Sequence, residues 1–182
     1  MLQAKPITKT SDDFHIVNDL FLSAFPKAEQ APMSFLLQRA KKENIDFTAY
    51  YDNDIFAGFS YTVTQKDLTY VLYLAVSANS RSKGYGTQIM SHIKSLNPNN
   101  RIILNIEAQD ETAENNEQRK RRKIFYERIG YTPAGFSLKM NGILYDVLIN
   151  GGDCSADEFM ALFKKYMGTI VFFLYRPKII MG

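Results

Sequence analysis

Apolar positions along this chain switch repeatedly between helical and strand spacing. Lys5 to Thr8 reads as a first strand. Ser11 or Asp12 then caps a predicted helix reaching about Phe25, in which Phe14, Val17, Leu20, Phe21 and Ala24 recur at helical intervals before Pro26 ends it. A second helix opens near Pro32, with Phe35, Leu36 and Ala40 apolar and Lys41-Lys42 at its C-terminal end. Phe47–Tyr51, Ile55–Thr64 and Thr69–Val76 are strand-like runs separated by the turns Asp52-Asn53-Asp54 and Gln65-Lys66-Asp67, which predicts three successive antiparallel strands. After Gly84-Tyr85-Gly86 the spacing turns helical through Ile89, Met90, Ile93 and Leu96, and Asn97-Pro98 stops it. Arg101–Glu107 is a strand with a continuous apolar stretch, and Glu117–Ile129 a helix ended by Gly130. Tyr131–Met140 and Ile143–Ile149 form a hairpin around Asn141-Gly142, and Ser155 caps a last helix to about Met167.

This order predicts an α/β (α+β) protein with a mixed, mostly antiparallel central sheet and helices on both faces. Residues 1–167 read as one domain, and residues 168–182 as a C-terminal strand or arm. The apolar run Ile170-Val171-Phe172-Phe173-Leu174 could add a strand or pack on a second subunit, so a homodimer is kept as an open partner. That run is too short to span a bilayer, which takes about 20 residues. No apolar stretch near Met1–His15 resembles a signal peptide. With a single cysteine, Cys154, the chain cannot form an internal disulfide, and a cytoplasmic setting is expected. The net charge of +3 suits a binder of a small anion and gives no argument for nucleic acid.

The segment with most chemical content is Tyr70 to Met90. An apolar strand runs into Arg81-x-x-Gly84-x-Gly86, and a helix follows at once. A glycine-rich turn at a helix start presents unpaired backbone N–H groups, which together with the helix dipole bind phosphate. Arg81 and Lys83 add positive charge beside it. A dinucleotide-binding fingerprint needs glycine or alanine where Ile89 stands, and a P-loop needs a wider glycine spacing followed by Lys-Ser/Thr, so both are excluded. A tight strand-to-helix turn without a ligand is the competing reading.

With Arg81, Gly84 and Gly86 in place, the chain resembles the GNAT superfamily of acyl-CoA N-acyltransferases, whose signature is Arg/Gln-x-x-Gly-x-Gly/Ala after the fourth strand. Phe125-Tyr126-Glu127-Arg128-Ile129-Gly130-Tyr131, about forty residues on, is similar to that family's Phe-Tyr-x-x-x-Gly-Phe/Tyr. The resemblance covers roughly residues 5–150. It implies acetyl-CoA as co-substrate, with the backbone of Leu74, Ala75 and Val76 pairing with the pantetheine arm on a bulged strand. The amides around Ser82, Lys83, Gly84, Tyr85, Gly86 and Thr87 would hold the pyrophosphate. It further implies direct attack by a primary amine in a ternary complex, with the Val76 amide as oxyanion donor and Tyr126 as general acid toward the departing thiol.

Glu107 is the candidate base, at the end of a strand expected to flank the cleft, and a chain of water molecules is the alternative. The sequence departs from the family pattern at Arg119 and Arg122, where many members carry asparagine and alanine. Arg119 is therefore a candidate contact for the coenzyme phosphates, and Asn116 a candidate replacement for the missing amide.

The basic run Arg119-Lys120-Arg121-Arg122-Lys123 cannot form one phosphate-tracking stripe, because five adjacent helical residues point in all directions. A solvated face is the expectation, with Glu117 and Arg121 spaced for an ion pair. His15, His92 and Cys154 have no metal-ligand spacing, so no metal site is expected; His92 is expected to be exposed, and a nucleophilic Cys154 is not expected. The acceptor, a small-molecule or peptide amine, is expected near the aromatic residues Phe35, Phe47, Tyr50, Tyr51, Phe56, Phe59, Tyr61 and Tyr73. Two other classes stay open: an acyl-CoA-binding module without catalysis, and a nucleic-acid binder using the basic helix.

Overall fold

A computed structural model describes residues 2–81, 83–169, 171–172 and 177–181. The elements are strands β1 (Gln3–Pro6), β2 (Ile45–Asp52), β3 (Ile55–Gln65), β4 (Leu68–Val76), β5 (Arg101–Glu107), β6 (Thr132–Met140), β7 (Ile143–Asn150) and β8 (Lys178–Met181). The helices are α1 (Phe14–Ala24), α2 (Met33–Arg39), α3 (Tyr85–Leu96), α4 (Asn116–Arg128) and α5 (Ala156–Met167). The expected mixed α/β class with a mostly antiparallel arrangement is what the chain adopts. It divides into two compact units, Met1–Pro98 and Asn99–Gly182.

In the first unit the strands lie in the order β1-β2-β3-β4, each pair antiparallel. Side chains alternate across a strand, so Phe47, Phe59, Tyr61 and Tyr73 share one face and Tyr50, Ser60 and Thr62 the other. α1 lies on the first face: Phe21 meets Phe59 and Tyr73, the latter edge-on at 5.0 Å between ring centroids. α2 lies there too, its Leu36 carbonyl accepting a 3.0 Å hydrogen bond from the Tyr61 hydroxyl. α3 covers the second face, where His92 sits edge-on to Tyr50 at 5.5 Å. The expectation of helices on both faces is met here. His92, expected to be exposed, is half-buried because its helix presses that ring onto the sheet.

Helix starts differ in one respect from expectation. Neither Ser11 nor Asp12 caps α1; Asp13 holds that position without a side-chain cap. The Ser11 hydroxyl instead accepts from the Thr8 amide and closes the preceding turn. Ser155 does cap α5, accepting from the Glu158 amide at 3.1 Å.

In the second unit the order is β5-β7-β6-β8, again antiparallel throughout. Asn141 and Gly142 both have positive φ, as a two-residue hairpin turn of this hand requires. α5 packs Phe159 on Phe136 of β6 and is tied to β5 by the Arg101–Glu158 ion pair at 2.6 Å. α4 is tied to β7 by Lys123 and Asp146 at 2.8 Å. Lys178–Met181 pairs along β6 and so supplies a strand from the C-terminal stretch. Of the apolar run 170–174, positions 170, 173 and 174 lie outside the described residues. No helix among the described residues is long and apolar enough to cross a membrane.

Candidate active site

β4 carries the first part of the candidate site. Its pairing with β3 slips by one residue, since Tyr61 opposes Tyr73 while Thr62 opposes Val71, and Leu72 is the extra residue. This is the bulge that the resemblance implies for this strand. Beyond it, burial alternates: Tyr73 and Ala75 are buried, while Leu72, Leu74 and Val76 are half-buried.

Backbone direction follows from the ladder. The Ser77 amide donates to the Ala57 carbonyl at 2.9 Å. Hydrogen-bonded and non-hydrogen-bonded pairs alternate in an antiparallel ladder. Ala75–Phe59 is therefore a bonded pair, whereas Val76–Gly58 and Leu74–Ser60 are not. The N–H and C=O groups of Leu74 and Val76 thus point to the edge of β4 away from β3. Those of Ala75, expected on the same edge, turn toward β3.

Gly58 makes this arrangement possible, and sequence reasoning passed over it. A Cβ there would lie 2.2 Å from the Ala75 carbonyl oxygen and 3.0 Å from the Val76 Cα, both backbone atoms. A lone glycine inside an otherwise apolar strand is the signal that could have found it. Gly58→Ala is expected to force β3 and β4 apart at this point and cost about 1–3 kcal/mol or more. A lowered thermal midpoint checks this, and an unchanged midpoint contradicts it.

The turn after β4 carries the second part. A short 3₁₀ segment, Ala78–Ser80, leads to Gly84, which has φ 78° and ψ 5° and precedes the first residue of α3. That left-handed conformation is cheap only for glycine. No side chain caps α3. The first intrahelical bond of this end runs from the Gln88 amide to the Gly84 carbonyl at 3.1 Å, so the Tyr85, Gly86 and Thr87 amides have no acceptor within the helix. Arg81 and Lys83 are exposed beside this helix start. Ser82, expected among the pyrophosphate contacts, lies outside the described residues. Four groups of this kind, main-chain donors, helix dipole, arginine and lysine, suit a diphosphate.

In the second unit, Glu107 is buried and accepts from three donors. Arg119 Nη2 reaches Oε1 at 2.9 Å, and Arg122 Nη1 and Asn115 Nδ2 reach Oε2 at 3.4 and 3.3 Å. Arg119 also donates through Nη1 to the Ala108 carbonyl and through Nε to Asn115 Oδ1. The Asn116 Oδ1 accepts from the Asp110 amide at 2.9 Å. Together these groups fix the loop between β5 and α4. Arg119 and Asn116, expected as coenzyme contacts, thus use these atoms inside the unit.

Tyr126 is buried in α4, with Phe125 and Tyr131 rings at 5.0 and 5.6 Å. Burial pushes its phenol up to about 12, with Arg122 pulling the other way. The rest of the basic run is largely paired: Lys120 with Glu117 and Glu111, Lys123 with Asp146. Glu117 therefore pairs with Lys120, three residues on, where Arg121 had been expected. Cys154 is buried, and burial pushes its thiol up to about 12, which keeps it protonated and inert. Among the described residues no cluster of histidine, cysteine or carboxylate could hold a metal ion.

Of the aromatic residues expected at the acceptor, Phe47, Tyr50, Tyr51, Phe59, Tyr61 and Tyr73 are buried in the first unit, and Phe35 and Phe56 are half-buried.

Comparison with known proteins bears on the family and the fold. The acetyltransferase (GNAT) domain matches residues 43–133, half of the 182-residue chain. A 5-NmdU N-acetyltransferase of Pseudomonas phage PaMx11 is 29% identical over 75 residues, 41% of this chain. That alignment spans 47%, about half, of the relative's length. Among solved structures, a GNAT-family protein from Bacteroides thetaiotaomicron superposes with a TM-score of 0.67 at 22% identity, covering 93% of this chain and 97% of the other. The ribosomal-protein-S18-alanine N-acetyltransferase of Escherichia coli gives 0.61 at 15% identity, over 86% and 97%. An aminoglycoside 6'-N-acetyltransferase complexed with coenzyme A gives 0.64 at 15% identity, over 81% and 96%. The strand edge at Leu74 and Val76, the glycine turn at Gly84 and these similarities lead to one conclusion: the chain belongs to the GNAT acetyltransferase family.

Proposed function

We propose that this protein transfers an acetyl group from acetyl-CoA to a primary amine in a ternary complex. The observation that carries the reading is the pair of main-chain features in the first unit: the outward N–H and C=O groups of Leu74 and Val76, and the open amides of Tyr85, Gly86 and Thr87 at the start of α3. The first set suits the amides of a pantetheine arm, and the second, with Arg81 and Lys83, a diphosphate. Acetyl-CoA supplies a thioester carbon that an amine can attack.

Each residue's task then follows from its chemistry. The Val76 amide donates toward the oxygen on which negative charge develops. Tyr126 acts on the departing sulfur. A phenol pushed up to about 12 does not surrender its proton outright to a thiolate whose conjugate acid lies at about 8.5. It donates a hydrogen bond as charge builds on sulfur, and the proton follows from solvent.

The amine must lose a proton, for which the expectations were Glu107 or a water chain. With three donors already on its carboxylate, Glu107 favours the water chain and serves as a positioning residue for the β5–α4 loop. The acceptor class proposed is a small-molecule or peptide amine. The named relatives act on chemically unlike amines, an aminoglycoside, a protein alanine and 5-NmdU, so the family leaves this range open.

The test is to mix the protein with acetyl-CoA and a panel of amines and follow free thiol. Thiol release with stoichiometric N-acetyl product is the expected outcome. Tight coenzyme binding without thiol release on any amine would instead support a non-catalytic acyl-CoA-binding module.

A further inference from the structure

The β2–β3 hairpin makes three hydrogen bonds to the segment that runs from the end of β4 to the start of α3. The Ser77 amide donates to the Ala57 carbonyl at 2.9 Å, the Ser80 hydroxyl to the Phe56 carbonyl at 3.3 Å, and the Tyr85 hydroxyl to Asp52 Oδ2 at 2.6 Å. The first two tie the chain leading out of β4. Only the third reaches the first residue of α3, immediately after the left-handed Gly84.

The Asp52 carboxylate is an odd neighbour for an anion-binding helix start. A negative charge placed there opposes a diphosphate electrostatically. What it provides is geometry. It is the short, charge-assisted acceptor that holds a buried tyrosine, and a bond of this kind is among the stronger ones a side chain makes. That bond also holds the Tyr85 phenol above its ordinary value, so Tyr85 stays the donor. Asp52 is itself fixed at the end of β2 by the tight turn at Asn53, whose φ is 54°. The hairpin register brings Asp52 opposite Ile55.

We infer that Asp52 and Tyr85 form a positioning pair that sets the direction of the first amides of α3, and hence the affinity for the diphosphate of coenzyme A. This rests on the proposed acetyltransferase reading. Neither side chain needs to touch the coenzyme for the pair to act. The carboxylate's charge is dispensable in this account, and its capacity to accept a hydrogen bond is not.

The test measures coenzyme A binding by calorimetry for the parent protein, Tyr85→Phe, Asp52→Ala and Asp52→Asn. Losing a charge-assisted bond that preorganises a site is expected to weaken binding about five- to tenfold in Tyr85→Phe and in Asp52→Ala. Asp52→Asn keeps an acceptor oxygen and removes the opposing charge, so its affinity is expected to stay within about twofold of the parent or improve. Amide hydrogen exchange at Gln88, whose bond to the Gly84 carbonyl is the first of α3, read without coenzyme, is expected to accelerate in the first two variants and not in Asp52→Asn. Parent-like binding by Tyr85→Phe, or an asparagine variant as weak as the alanine one, overturns the positioning pair while leaving the family reading intact. Failure of the parent itself to bind coenzyme A overturns both.

Discussion

Tyr126→Phe should lower kcat about a hundredfold while leaving KM for acetyl-CoA close to the parent value. Positioned proton donors contribute about 10²–10⁴-fold, and the lower end suits a donor that shares its proton without transferring it fully. Removing the hydroxyl keeps the ring and its neighbours Phe125 and Tyr131, so the packing of α4 survives. Steady-state kinetics at saturating acetyl-CoA decides it: a parent-like kcat removes Tyr126 from the mechanism.

The pH dependence has a definite sign. Burial raises the folded phenol to about 12, above the ordinary tyrosine value of 10.0. The hydroxyl therefore remains a donor up to and beyond pH 10, and the alkaline limb of kcat does not come from this residue. The same shift makes the folded state prefer the protonated phenol. That stabilisation is fully present below about pH 10 and is lost as pH rises toward 12. Tyr50, also pushed up to about 12 by burial, acts in the same direction. Thermal midpoints should fall between pH 10 and 12, less steeply in Tyr126→Phe.

Glu107→Ala has the second large expectation, and it falls on stability. Glu107 is 4% exposed at its side chain and Arg119 14%. Removing one member of such a buried pair strands the other charge, at a cost of about 3–5 kcal/mol. Arg122, more exposed at 38%, adds little. Arg119 holds the Ala108 carbonyl and Asn115 as well, so the β5–α4 loop should loosen with it. Arg119→Ala should cost a similar amount, and the double variant clearly less than the sum. Urea unfolding followed by circular dichroism measures all three. Costs below about 1 kcal/mol, or strict additivity, would show that the ion pair is not what fixes this region.

Local patterning carried far in this chain. Strand and helix periods, the caps at Ser155 and Gly130, and the Asn141-Gly142 turn were legible because they depend on residues near in sequence. The glycine motif was legible for the same reason, since Gly84 must adopt positive φ whatever surrounds it. Partners distant in sequence were not. Asp52 reads as an ordinary turn residue until the fold brings it to Tyr85, thirty-three positions away. Glu107 reads as a candidate base at a strand end, and only packing shows two guanidinium groups on it. The basic run reads as free charge, yet Arg119, Lys120, Arg122 and Lys123 are held by Glu107, Glu111, Glu117 and Asp146.

Sequence by itself thus determined the element order, the family and the glycine turn ahead of α3, because spacing and backbone preference are properties of short segments. Tertiary structure decided which main-chain groups of β4 face outward, which carboxylates are already engaged and what holds Tyr85. Those outcomes depend on strand register and burial, and register is a relation between segments that no single segment encodes.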